Sequence, residues 1–213
     1  MNTPQMETWT GEFGREYTDR NSLTAAAANE LFQKNYGVTR SQLNRRFLAE
    51  IPVDARILEV GCNSGNQLLL LQEAGYRNLY GIEIQNYALA KARARLPNVQ
   101  LTRAAAFEIP FSDGYFDLVF TSGVLIHIAP DDLPGAIAEI HRCSGAYIWG
   151  LEYYSSESTE VSYRGHQELL WKMDYARLYL NRFDDLEPVK MEQLPYLDNA
   201  NVDCMFLLRK KRA

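Results

Sequence analysis

Apolar residues are grouped along this chain in short blocks that switch between two periods. "RILEV" at 56–60, "LYGIEI" at 79–84, "VQLT" at 99–102, "FDLVFTS" at 116–122 and "GAYIWGLE" at 145–152 are compact runs of strand length. Helical spacing separates several of them. Leu68 to Leu71 lead to Gly75, which is placed for a left-handed C-terminal cap. "NYALAKARARL" opens at the capping candidate Asn86 and stops before Pro97, and "PDDLPGAIAEIHRC" puts Leu133, Ile137 and Ile140 on one face. Two more short strands are expected near 187–195 and 202–208. Strand and helix alternate, so the fold class expected is α/β: a doubly wound, mainly parallel, seven-stranded sheet with helices on both faces.

The flanks have a different texture. Residues 1–50 read as an N-terminal helical cap, with the alanine-rich "LTAAAANELFQ" opening after Asn21-Ser22. After strand five, "YYSSESTEVSYRGH" is polar and rich in tyrosine, and "QELLWKMDYARLYLNRF" (167–183) reads as a helix. No repeat or linker divides the 213 residues, which suits a single domain.

Composition narrows the partners. The net charge is −5 and the only basic run is "RKKR" at 209–212, so extended nucleic-acid binding is not expected. No segment approaches 18 uninterrupted apolar residues, and the start lacks the apolar core of a signal peptide; a soluble cytoplasmic chain without a membrane span is expected. Cys62, Cys143 and Cys204 are scattered without a CxxC pair, the histidines lack i,i+4 pairing and the carboxylates are dispersed. Neither a disulfide framework nor a metal site is indicated.

The chemistry concentrates at "EVGCNSG", where strand one breaks into a turn and restarts as a helix. Gly61 lets backbone approach a ligand, and Gly65 opens the helix whose free N–H groups face the crevice at the C-terminal strand ends. Glu83, 18 residues beyond Gly65 at the end of strand two, can accept both hydroxyls of a ribose. The loop lacks the G-x-G-x-x-G pattern that a pyrophosphate needs. Asn63 tolerates a left-handed bend and adds a side-chain amide for a polar ligand group, and Asn66 offers a second.

Together, "ILEVGCNSG", "YGIEI" and "LTRAAAFEIPFSDGYFDLVFTSGVLIHI" resemble the ordered motifs of class I S-adenosylmethionine-dependent methyltransferases, over about residues 50–150. The resemblance implies the Rossmann-like fold of that class and S-adenosylmethionine as cofactor, with S-adenosylhomocysteine as product. It places Glu59, Gly61 and Gly65 around the methionine part and Glu83 at the ribose. Ala106 and Phe107 then lie beside adenine, and Ser122 to Val124 form the floor under the sulfonium. One departure is Ala105, where the class commonly has an acidic residue on the adenine amino group; the Phe107 and Ile84 walls and backbone groups remain for that task. The flanks, "WTGEFGREYTDRN" and "EYYSSESTEVSYRGHQELLWKMDY", are similar to methyltransferases associated with pseudaminic acid biosynthesis, which implies a surface-sugar setting. An N-terminal tyrosine often closes over the cofactor in small methyltransferases, which nominates Tyr17.

On this reading residues 51–151 are the cofactor-binding core, and 152–213 an acceptor-side lid with the C-terminal strands. A hydroxyl acceptor must lose a proton, so His127, after strand four, and His166, in "SYRGH", are the candidate bases. Glu152, Tyr153, Tyr154, Tyr163 and Arg164 form a cluster suited to a polyhydroxylated, anionic acceptor, with Arg164 facing a carboxylate. His141, mid-helix, looks structural or exposed. The motif after strand four is "FTSGV", without the Asn/Asp-Pro-Pro-aromatic stretch of nucleobase amine methylation, which favours a small molecule that is sugar-like. Two other functions compete: a nicotinamide-dependent oxidoreductase, and a non-catalytic cofactor-binding partner in a biosynthetic complex. The acceptor's identity and the oligomeric state are left open.

Overall fold

A computed structural model describes residues 3–211. The chain begins with four helices: α1 (Pro4–Thr10), α2 (Glu12–Asn21), α3 (Ala25–Tyr36) and α4 (Arg40–Phe47). Each start is readable in local chemistry. Thr3, Thr24 and Thr39 accept from backbone N–H groups in the first turns of α1, α3 and α4, and Thr39 with Gln42 completes a reciprocal capping box. Asn21-Ser22, expected to cap the alanine-rich helix, instead ends α2; Thr24 is the cap, because its hydroxyl reaches the Ala27 N–H. Gly14 lets α2 fold back against α1, since a Cβ there would lie 1.9 Å from the Trp9 carbonyl oxygen.

The sheet follows: β1 (Arg56–Val60), α5 (Asn66–Glu73), β2 (Asn78–Glu83), α6 (Asn86–Arg95), β3 (Gln100–Arg103), β4 (Phe116–Ser122), α7 (Leu133–Cys143) and β5 (Ser144–Tyr153). Gln85, rather than Asn86, holds the N-cap of α6. Beyond β5 come a short pair, β6 (Thr159–Glu160) and β7 (Trp171–Lys172), then α8 (Tyr175–Arg182), β8 (Leu186–Pro195) and β9 (Val202–Lys210). Among the described residues the main sheet has seven strands in the order β3-β2-β1-β4-β5-β9-β8, parallel from β3 to β5, with β9 and β8 antiparallel. This is the Rossmann-like methyltransferase arrangement. Order reverses between β1 and β4, and the crevice lies there.

Both faces of the sheet are covered, as a parallel sheet requires. Alternate residues of one strand therefore serve two cores: Leu58 and Val119 pack toward Ile137, Ile140 and Tyr175, whereas Ile57 and Phe120 pack toward Leu43, Phe47 and Leu68. Cys62, Cys143 and Cys204 are free and buried. His141 stacks on Phe183 with centroids 4.0 Å apart and meets Asp185, a structural placement. Of the basic run at 209–212, Arg209 pairs with Glu187 and Lys210 donates to the His141 carbonyl; Arg212 lies outside the described residues. Among the described residues no helix is long and apolar enough to cross a membrane, and no group of three or more His, Cys, Asp or Glu side chains could hold a metal ion.

The expected helix over 167–183 is shortened to α8. Trp171 and Lys172 pair instead with Glu160 and Thr159, and Asp174 caps the helix that begins at Tyr175. Tertiary burial of Leu169, Leu170 and Trp171 outweighs the helical spacing of the segment.

Candidate active site

The turn after β1 has left-handed backbone at Gly61 (φ 72°), Asn63 (φ 47°) and Gly65 (φ 80°). A side chain at Gly61 would come within 2.7 Å of Val124 Cγ2, so glycine is required both by the bend and by the neighbouring β4 turn. Gly65 forms the N-cap of α5 and does not line the crevice; a Cβ there would meet Leu96 Cδ1 at 2.4 Å. Its place is in helix packing.

Asn63 turns inward on the protein itself. Its Oδ1 accepts from the Ser64 N–H and its Nδ2 donates to Thr18 Oγ1, so the amide expected for a ligand instead braces the turn against α2. Asn66 does likewise: its Oδ1 accepts from the Leu23 N–H and its Nδ2 donates to the Asn21 carbonyl. A cap segment and the turn are thus sewn together. Gln85 adds to the seam, donating to the Trp9 carbonyl at 2.7 Å.

A cavity of about 280 Å³ occupies the crevice. Tyr17, Glu59, Gly61, Asn63, Glu83, Ile84, Ala106, Phe107, Ser122, Val124 and His127 all line it. Its two carboxylates sit at the ends of neighbouring strands, and they differ. Glu83 accepts from the Asn63 N–H and the Gln85 N–H, both at 2.9 Å; burial raises its pKa and these bonds oppose the rise. Glu59 is 3% exposed, and its Oε2 is buried without a hydrogen bond. Burial holds its pKa well above the usual carboxylate range, with Arg40 the chief opposing charge.

His127 stands at the edge of this cavity, in the turn after β4. Its Nδ1 lies 2.7 Å from the Leu169 carbonyl oxygen. A carbonyl only accepts, so Nδ1 carries the proton and Nε2 keeps its lone pair. Burial pushes the imidazole pKa down to about 4, so the ring is neutral at pH 7. Trp9 packs on it with centroids 4.4 Å apart, and Tyr163 at 5.3 Å.

A second cavity, about 200 Å³, adjoins the first and shares Tyr17, Ser122 and His127 with it. Glu152, Tyr153 and Tyr163 line it as expected, together with Tyr36, Tyr196 and Asp203, which the sequence reading missed. Tyr154, Arg164 and His166 line neither cavity. Arg164 and His166 are exposed: Arg164 stands over the Tyr163 ring and His166 edges against Phe13. Arg164, expected to face an acceptor carboxylate, thus stands outside both cavities, in the tight turn closed by the Tyr163–His166 bridge. Trp9 and Phe32, also missed, close the cavities from the cap. Their only sequence signal was aromatic residues within polar amphipathic helices.

Residues 58–148 match the family model described as a methyltransferase domain. An uncharacterised methyltransferase of Synechocystis is 30% identical over 87 residues, 41% of each chain. A tRNA U34 carboxymethyltransferase of Syntrophotalea carbinolica is 32% identical over 99 residues, 44% of this chain and 31% of the relative. The matched stretch thus spans about two fifths or less of those relatives. Among solved structures, the Burkholderia thailandensis 1,6-didemethyltoxoflavin-N1-methyltransferase, with its namesake substrate and S-adenosylhomocysteine bound, superposes with TM-score 0.73 at 18% identity, covering 100% of this chain and 92% of that one. The magnesium protoporphyrin IX methyltransferase of Synechocystis PCC 6803, with S-adenosylmethionine bound, gives 0.72 at 10% identity, covering 99% of both.

Proposed function

We propose that this chain, built around a class I methyltransferase domain, is an S-adenosylmethionine-dependent methyltransferase acting on a hydroxyl of a small, polar, sugar-like molecule. The observation that carries the reading is the pair of buried carboxylates flanking the Gly61 turn, one of them with an unpartnered oxygen. Such an oxygen is costly to bury alone and is matched by a ligand ammonium.

The residues fit that cofactor. Glu59 Oε2 suits the methionine amino group, and Glu83 suits the ribose hydroxyls. Ile84, Ala106 and Phe107 form the adenine wall, Ser122 and Val124 the floor near the sulfonium, and Tyr17 the roof. The cofactor supplies an electrophilic methyl group for in-line displacement. The protein's part is placement and exclusion of water. Trp9 and Tyr163 enclose His127, whose Nε2 can accept the hydrogen bond of an acceptor hydroxyl. The lowered pKa keeps that lone pair free at neutral pH while making the ring a weak base, so its role is to orient the hydroxyl and take its proton as the oxygen is methylated.

The pseudaminic acid likeness supports a sugar-type acceptor, and the tyrosine-lined second cavity is consistent with one. An anionic sugar acid is not favoured, since neither lysine nor arginine lines that cavity. Titration calorimetry with S-adenosylhomocysteine, followed by a methyl-transfer assay on candidate sugars, tests the proposal. Binding without turnover on any acceptor would leave the non-catalytic partner as the better account, and a preference for NAD would overturn the cofactor.

A further inference from the structure

The second cavity carries a charge pattern that the reaction alone does not require. Its lining holds two carboxyl groups, Glu152 and Asp203. Burial raises the pKa of Glu152 to about 7, above the value of about 6 for Asp203, so Asp203 is the more fully charged of the two at neutral pH. Glu152 is engaged: both oxygens accept from the Val124 N–H, and Oε2 faces the Ile126 N–H at 3.4 Å. Asp203 is only half engaged. Its Oδ2 accepts from the Tyr36 hydroxyl at 2.6 Å, while Oδ1 is buried without a hydrogen bond. The residue is 7% exposed, on β9 beside the apolar run Cys204 to Leu208.

Tyrosine rings surround this end. Tyr36 and Tyr196 meet edge to face with centroids 4.8 Å apart, and Tyr153 lies 6.2 Å from Tyr196. A buried carboxylate oxygen without a partner attracts a cation and repels an anion, and a tyrosine ring adds to the attraction where a cation meets its face. Lys172 shows the preference from outside the cavity, its Nζ standing 5.2 Å from the Tyr153 centroid while donating to Asn201. Burial raises the Asp203 pKa to about 6; the Tyr36 hydrogen bond opposes that rise first, followed by Arg40, a buried cation, then Lys172 and the Tyr196 hydroxyl. At neutral pH Asp203 is therefore a carboxylate.

We propose that this cavity takes an acceptor bearing a protonated amine, held by the Asp203 carboxylate between Tyr36, Tyr153 and Tyr196, with its hydroxyl toward Ser122 and His127. The inference rests on reading this cavity as the acceptor side of the methyltransferase. It turns the expected anionic acceptor into its opposite.

Three hexoses that share a ring and differ in charge test it: 2-amino-2-deoxyglucose, glucose and glucuronate, titrated by ligand-observed NMR into the full chain saturated with S-adenosylhomocysteine. The amine should bind about tenfold more tightly than glucose, with glucuronate weakest. Asp203→Asn should erase the amine's advantage while leaving S-adenosylhomocysteine affinity unchanged. Tyr196→Leu, in a loop, should reduce the same advantage and serves as the reporter if circular dichroism shows Asp203→Asn unfolded. Glucuronate binding as tightly as the amine would overturn the proposal. So would an advantage that survives both substitutions, or no amine binding up to its solubility limit. If S-adenosylhomocysteine does not bind, the function itself falls, and the order of the hexoses on the cofactor-free chain still decides the cation site.

Discussion

The two adjoining cavities are built in different ways. The first draws its carboxylates and its turn from 25 consecutive residues, Glu59 to Glu83, with the segments 104–107 after β3 and 122–124 at the end of β4. The cap closes it through Trp9, Tyr17 and Phe32. The second is assembled from Tyr36 on the cap, Glu152 and Tyr153 on β5, Tyr163 beyond β6, and Tyr196 and Asp203 near β9. Backbone conformation sets the first; convergence of remote side chains sets the second. Substitutions in the first should therefore act through the turn and be severe. Those in the second should be graded, and should separate one acceptor from another.

The sharpest challenge to that contrast is Gly61→Val. The new side chain meets Val124 and forces a left-handed residue, a strain of about 1–3 kcal/mol before any ligand clash. Binding of S-adenosylhomocysteine should fall below detection in calorimetry, with circular dichroism to show whether the fold persists. A folded variant with normal affinity would mean that the turn does not shape the cavity.

Glu83→Ala should weaken S-adenosylhomocysteine by about 1–3 kcal/mol, because the ribose loses a charged acceptor and the Asn63 and Gln85 N–H groups lose theirs. Unchanged calorimetric affinity in a folded protein would remove the ribose assignment.

His127, shared by both cavities, should show an intermediate response. His127→Gln is expected to lower kcat about tenfold, roughly 1.4 kcal/mol, with smaller change in cofactor affinity. With its pKa down at about 4, the wild-type pH–rate profile should carry no imidazole step near 6.5. Such a step, lost in the variant, would contradict the buried neutral ring. The stability sign follows from the same shift: as pH falls below 6.5 the unfolded chain takes the proton first, so stability declines from about 6.5 toward 4. In thermal melts His127→Gln should flatten that decline.

The smallest effects belong to Arg164→Ala and His166→Ala. Both side chains are exposed and outside the cavities, so kcat/KM should stay within about twofold, some 0.4 kcal/mol. A tenfold loss in either would return the 152–166 segment to the acceptor site and break the comparison.

The same contrast explains what could be read from the sequence. β1 and β4 match their expected bounds, and β2, β3 and β5 shift by a residue or so, because apolar runs between turn residues are local signals. Glu59, Gly61 and Glu83 could be read because their spacing is the motif. Asp203 could not, because nothing near it in the chain announces Tyr36 or Tyr153. Its one local sign is a carboxylate inside "VDCMFLL", where its neighbours are apolar and mostly buried. Arg164 and His166 lie outside the cavities for the complementary reason: a polar cluster in sequence is an exposed turn in space. Of the expected helix 167–183 only Tyr175–Arg182 forms, because the spacing of the first half suits a buried extended run as well as a helix.

The stitches between cap and turn bear on how this protein could be redesigned. Thr18 to Asn63, Asn66 to Asn21 and Leu23, and Gln85 to Trp9 cross a boundary that the family match at residue 58 would suggest as a cutting point. A core excised there would carry severed polar partners on the wall of its own cofactor cavity. Exchanging acceptor specificity between relatives by swapping caps would therefore mean transplanting both edges of the seam, Asn63, Asn66 and Gln85 along with the helices. Homology marks one unit of inheritance in this chain, and hydrogen bonding marks a larger unit of assembly.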